Sequence, residues 1–97
     1  MKFYNCVIID SGERMTFING IRKLIKAEGY NLDEYEEDAK TMNDNLVYVV
    51  RFCKSSGVRL NHDMAQGVLI AVWSFVGEGV YNNDDIADEL IDQILKA

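Results

Sequence analysis

The sequence predicts an α+β fold: an N-terminal β-strand or β-hairpin followed by about four helices, the C-terminal part an antiparallel helical bundle. Three observations carry this. Residues 2–10 alternate as a strand does, the rest of the chain repeats its apolar residues with the period of a helix, and no proline interrupts either pattern. At 97 residues the chain reads as a single domain, 1–97. A chain of that size buries roughly 60–65% of the surface its unfolded form exposes, enough for one modest core.

The segment "KFYNCVIID" puts Tyr4, Cys6 and Ile8 on one face of a strand and Phe3, Val7 and Ile9 on the other. Both faces are mostly apolar, so cover on two sides is expected. "DSG" reads as a turn. Met15 and Phe17 suit a second strand over 13–18, although Thr16 also suits the N-cap of a helix. Asn19 and Gly20 are poor helix-interior residues, so the first helix is expected from about Asn19, ending at Gly29. The acidic segment 30–40 reads as a loop. A second helix follows within "NDNLVYVVRFCKSSG", with Leu46, Val49, Val50 and Cys53 inward and Gly57 as its stop. Asn61 caps a third, over about 62–76, with a broad stripe of Met64, Ala65, Val68, Leu69, Val72, Phe75 and Val76. Ile70, Ala71 and Trp73 extend the stripe nearly all round, which predicts a central helix. Asn82 or Asn83 caps the fourth, where Asp84 and Asp85 favour the helix dipole and Ile86 or Ala87, Leu90, Ile91, Ile94 and Leu95 face inward.

Composition excludes several classes of function. With 48% hydrophobic residues the chain is not an acidic disordered tail. Its longest apolar run, "VLIAVW", is far too short to span a bilayer, and "MKFYNCVIID" lacks the apolar region and cleavage site of a signal peptide. Two scattered cysteines, Cys6 and Cys53, make no disulfide framework and read as small buried hydrophobes of a reduced, cytoplasmic protein. The net charge of −6 is unevenly spread: residues 1–59 balance, while residues 60–97 carry Lys96 alone against seven carboxylates. Such a face repels nucleic acid and anionic lipid and attracts basic surfaces.

No catalytic, cofactor or metal motif is present. Neither "DEYEEDAKTMND" nor "NNDDIADELIDQ" has the glycine a calcium loop needs at its sixth position. One histidine, His62, and two separated cysteines do not form a zinc set. Cys53 and His62 could be drawn as a nucleophile–base pair, but Cys53 sits on an apolar face, where thiols are inert. "SSGVRL" between two helices superficially suggests a helix-turn-helix, yet the helix after it carries no basic residue to read a base edge. "RKLIK", with Arg22, Lys23 and Lys26, reads as a solvated basic face. The chain is therefore expected to be no enzyme and to bind neither nucleic acid nor membrane directly.

Two acidic patches remain. One is "YNLDEYEEDAK", with Asp33, Glu34, Glu36, Glu37 and Asp38 beside Tyr35. The other is Asp85, Asp88, Glu89 and Asp92, spaced to line one face of the last helix. Each reads either as a solvated outer face or as a surface for a cationic partner. Tyr30 and Tyr35 favour contact in the first patch, because tyrosine is enriched at interfaces. These ten residues are the candidate partner-binding set. Reversing charges in either patch is expected to leave the melting temperature equal or higher.

Small size, acidity and absent catalytic machinery make the chain similar in gross character to phage-borne anti-defence proteins, anti-CRISPR proteins among them, and to immunity proteins against nuclease toxins. The likeness is compositional, covers no motif and carries over no residue. The expected function is inhibition or binding of a nucleic-acid-handling protein through its basic surface. The alternative is a homo-oligomeric structural or adaptor protein, a homodimer for example, with Trp73, Tyr48 and Tyr81 forming an apolar interface.

Overall fold

The structure, a computed structural model, describes residues 15–97 except Glu78. Four helices account for most of them: α1 (Ile18–Ala27), α2 (Glu36–Ser56), α3 (His62–Trp73) and α4 (Asp84–Lys96). Among the described residues there is no strand. The molecule is a helical bundle, and the α+β prediction is corrected. Met15 to Phe17 run into α1 as irregular chain instead of a hairpin strand. The strand expected over 2–10 and its "DSG" turn lie outside the described residues.

Each helix packs on its neighbours in sequence, and α4 closes the ring against α1. Cross-contacts fix the directions. Phe17 meets Asn43 while Arg22 meets Glu36, so α1 and α2 are antiparallel. Gly20 lies against Leu90 and Gln93 while Glu28 holds Asn82 and Asn83, so α1 and α4 are antiparallel as well. His62 beside Asp88 and Trp73 beside Tyr81 give the same relation for α3 and α4. The result is an up-down-up-down bundle, the arrangement short connections favour.

The core is the interior of that ring. Ile21, Leu24 and Ile25 from α1, Ala39, Met42 and Leu46 from α2, Ala65 and Leu69 from α3, and Leu90 and Ile91 from α4 are fully buried. No buried charged residue is found among those described. α3 is not central: its main contacts are with α2 and α4, and Met64 and Phe75 of its expected stripe are exposed. Periodicity overstated this helix because it ends at Trp73, and the turn over 74–76 points Phe75 outward.

The ends follow local chemistry. Gly57 adopts φ 76°, with its own N–H bonded to Lys54 O and the Val58 N–H bonded to Cys53 O at 2.9 Å. That is a Schellman closure of α2, which a left-handed glycine permits. Asn61 Oδ1 accepts the Met64 N–H at 2.9 Å and starts α3, as expected of an N-cap. The start of α1 is stabilised from outside its own segment: Asn43 Oδ1, on α2, accepts the Phe17 N–H at 2.7 Å. Gly77 is a close-approach position, since a Cβ there would stand 2.6 Å from Tyr30 Oη and 3.2 Å from Trp73 Nε1.

Candidate functional site

The segment "YNLDEYEEDAK" is a turn over residues 32–35 followed by the first turns of α2, which begins seven residues before the expected Asn43. The expected loop is corrected here. Ala39, Met42, Leu46 and Val50 are buried at helical spacing, so the inward stripe starts inside the acidic segment. Glu36, Glu37 and Asp38 occupy the first turn, where the positive end of the helix dipole stabilises carboxylates. Asn31 Oδ1 accepts the Asp33 N–H at 2.9 Å and shapes the turn before it.

Several of the candidate residues are engaged within the chain. Arg22 of α1 grips Glu36 through two hydrogen bonds, from Nε at 3.2 Å and from Nη2. The Arg22 guanidinium holds the Glu36 carboxyl below the usual carboxylate range, and Glu36 in turn raises Arg22. Lys40 reaches Glu37 at 3.4 Å along the helix. The Tyr35 ring lies edge-on to Tyr30, 5.1 Å between centroids, and Tyr30 is edge-on to Trp73 at 6.0 Å. Both tyrosines are half-buried packing residues that close one end of the bundle. Asp33 and Glu34 remain exposed, and Asp38 is half-buried.

On α4 the four carboxylates Asp85, Asp88, Glu89 and Asp92 are all exposed, opposite the buried Ala87, Leu90, Ile91 and Ile94. Lys23 of α1 donates to Glu89 at 3.0 Å. His62 Nε2 stands 3.7 Å from Asp88 Oδ1, an ion pair only when the imidazole is protonated. Asp85 and Asp92 have no cationic partner among the described residues. The "RKLIK" segment is thus more than a solvated face: Arg22 reaches the patch on α2 and Lys23 the patch on α4, from opposite flanks of α1.

The antiparallel ring gives the molecule two electrically different ends. α1 and α3 finish, and α2 and α4 begin, at an end carrying Glu28, Asp33, Glu34, Glu36, Glu37, Asp38, Asp84 and Asp85. At the other end α2 and α4 finish among Arg51, Lys54, Arg59 and Lys96. The first patch and the start of the second therefore lie at the same end of the bundle, with α1 between them, and Asp88, Glu89 and Asp92 extend the second patch along α4. Glu28, at the C-terminal end of α1, ties that end together. Its Oε1 accepts the Asn82 N–H at 2.8 Å and its Oε2 the Asn83 N–H at 2.6 Å. No local pattern marks Glu28, because its partners lie more than fifty residues away.

Trp73 and Tyr81, expected at an apolar interface, are buried edge-on to each other at 6.1 Å. Tyr48 stays exposed. Tyr81 Oη has no hydrogen-bond partner among the described residues, the Gln66 amide falling outside bonding geometry. Burial raises the Tyr81 pKa above the usual tyrosine value, and Gln66 opposes this only in part. Cys53 is half-buried, not core, and its thiol is free. It lines a shallow cleft of about 270 Å³ between the ends of α2 and α4, with Leu60 and Ile94 on its floor and Lys54 and Arg59 at its rim. Among the described residues, no three His, Cys, Asp or Glu side chains converge as a metal site, and no helix is long and apolar enough to cross a membrane. The chain matches no family model, no curated protein and no solved structure.

Proposed function

We propose that this chain is a small non-catalytic interaction protein of the cytoplasm that inhibits a nucleic-acid-handling protein by occupying its basic surface in place of the nucleic acid. The observation that carries this reading is the acidic end of the bundle. Two carboxylate patches, some fifty residues apart in sequence, begin at that same end, one on each side of α1, and the second continues along the exposed face of α4. Docking uses the exposed carboxylates that α1 leaves without a cation: Asp33, Glu34, Asp85 and Asp92. Tyr35 and Glu36 act behind them by holding the start of α2 in place. A concentrated negative field of this kind steers a cationic partner and accelerates association.

Capture tests the proposal. The immobilised chain is exposed to an extract of its source cells at low and at raised salt, and retained proteins are identified. The expected result is a nucleic-acid-binding protein that is released by salt and displaced by its own nucleic acid. Asp33→Lys with Glu34→Lys, and Asp88→Lys with Asp92→Lys, should each slow its association while the helical circular dichroism is unchanged. A partner that binds equally at both salt concentrations and ignores both double variants counts against the proposal.

A further inference from the structure

The cleft between the ends of α2 and α4 stands in line with α1. Phe17, at the start of α1, and Arg22 meet Asn43 and Glu36 of α2. The same side of α2 continues, in steps of seven residues, through Val50 and Gly57. On α4, Gly20 lies against Leu90 and Gln93, and the next turn of that side carries Ile94 and Ala97. Val50, Gly57, Ile94 and Ala97 all line the cleft. α1 begins at Ile18, level with Asn43, while α2 runs on to Ser56, about 20 Å further. The cleft is therefore the corner of the ring that α1 is too short to fill. Its walls are apolar and open: Val58 and Leu95 are 44% and 37% exposed.

The segment that leads into α1 fits this corner. Met15, the first described residue, is half-buried against the core just before α1. Residues 1–14 precede it, and at about 3.3 Å per extended residue they reach well beyond 20 Å. Phe3, Tyr4, Val7, Ile8 and Ile9 give this segment an apolar run, and Asp10 follows it directly. Lys54 and Arg59, at the rim of the cleft, have no ion-pair partner among the described residues. The volume of about 270 Å³ falls below the roughly 300–1,000 Å³ of small-molecule sites, which favours a few side chains over a free ligand. We propose that the apolar run of residues 3–9 seats in this cleft of its own chain, completing the ring beyond the start of α1 and bringing Asp10 to the cationic rim. The segment then closes the basic end of the bundle. The docking function proposed above uses the acidic end and does not depend on it.

A nitroxide placed beside the run tests this in the full chain. The label is carried at Lys2→Cys, with Cys6→Ser and Cys53→Ser removing the native thiols. It should broaden the methyl signals of Val50, Leu60 and Ile94 and leave those of Val76 and Val80, at the opposite end, sharp. Signals of Val50, Leu60 and Ile94 that stay sharp overturn the proposal, and so does broadening as strong at Val76 and Val80. Mixing spin-labelled chain with isotope-labelled chain that lacks the nitroxide should give no broadening. Broadening in that mixture assigns the cleft to a neighbour's segment and overturns the proposal too. Cys53, which lines the cleft, gives a second readout. In the Cys6→Ser chain, Val7→Asp with Ile9→Asp should speed reaction of the Cys53 thiol with a charged disulfide reagent about tenfold or more, with helical circular dichroism unchanged. An unchanged rate overturns the proposal.

Discussion

Glu28 shows how much one side chain can decide here. It closes α1 and, through its two oxygens, accepts the backbone N–H groups of Asn82 and Asn83 that lead into α4. Removing a charged acceptor leaves those donors to water or to nothing, which costs about 1.5–3 kcal/mol. Glu28→Ala should lower the midpoint of denaturant unfolding accordingly, and Glu28→Gln, which keeps one acceptor, should lose less. Tyr81 is the opposite case. Its ring packs on Trp73, but its hydroxyl is buried without a partner. Tyr81→Phe should therefore stay within about 1 kcal/mol of the parent at neutral pH, or exceed it. Because the folded pKa of Tyr81 is raised, its contribution is fully present below about pH 10 and is lost as pH rises through the folded value. The variant should lack that alkaline loss, as thermal melts at pH 7 and above pH 10 would show.

α2 is the element whose reading changed most, and its first turn explains why. Glu37 on a loop would tolerate reversal. Glu37 in the first turn of a helix faces the positive end of the dipole and holds Lys40, so Glu37→Lys removes two favourable terms and adds an unfavourable one. The melting temperature should fall, with a loss of about 0.5–1 kcal/mol, where a loop would have shown none. The Glu36–Arg22 pair joins this same turn to α1. Glu36 has a depressed folded pKa, so the stability it adds is present above about pH 4.3 and is lost as pH falls through the folded value. Glu36→Gln should flatten the acid limb of a stability–pH profile and leave the region above pH 6 nearly parallel to the parent.

At the scale of the molecule, four helices share one core and none can be removed without exposing it. Val72 is 7% exposed on the inner side of α3. Val72→Asp places a carboxylate there with no partner, and several kcal/mol is a large part of the stability of a domain this small. The variant should be unfolded, or nearly so, by circular dichroism at 25 °C. A melting temperature within a few degrees of the parent would mean that α3 does not pack as described. The same bundle separates charge end to end, and it does so because α2 and α4 run the same way. Their acidic first turns therefore gather at one end and Lys54 and Lys96, in their last turns, at the other.

Local rules, acting within a few residues, were legible in the sequence. The stops at Gly29 and Gly57 and the caps at Asn61 and Asn83 depend on contacts no more than about five residues apart and are in the structure, and Ala87, Leu90, Ile91 and Ile94 of the stripe expected on α4 are buried. The beginning of α2 was written there too, in Ala39, Met42 and Leu46, but the density of carboxylates around them read as loop. Leu95 and Phe75 fit a helical stripe yet are exposed, because a period identifies a face and not where the neighbouring helix ends. What the tertiary structure alone decided is which distant groups meet. Arg22 and Lys23 are adjacent in sequence, but one neutralises Glu36 and the other Glu89 only because α1 stands between α2 and α4. Trp73 and Tyr81 became core because the ring of helices closes on α3 and α4, while Tyr48, on the side of α2 away from that core, stayed exposed. The chain order specifies each helix, and the packing of one against another specifies which charges remain for a partner.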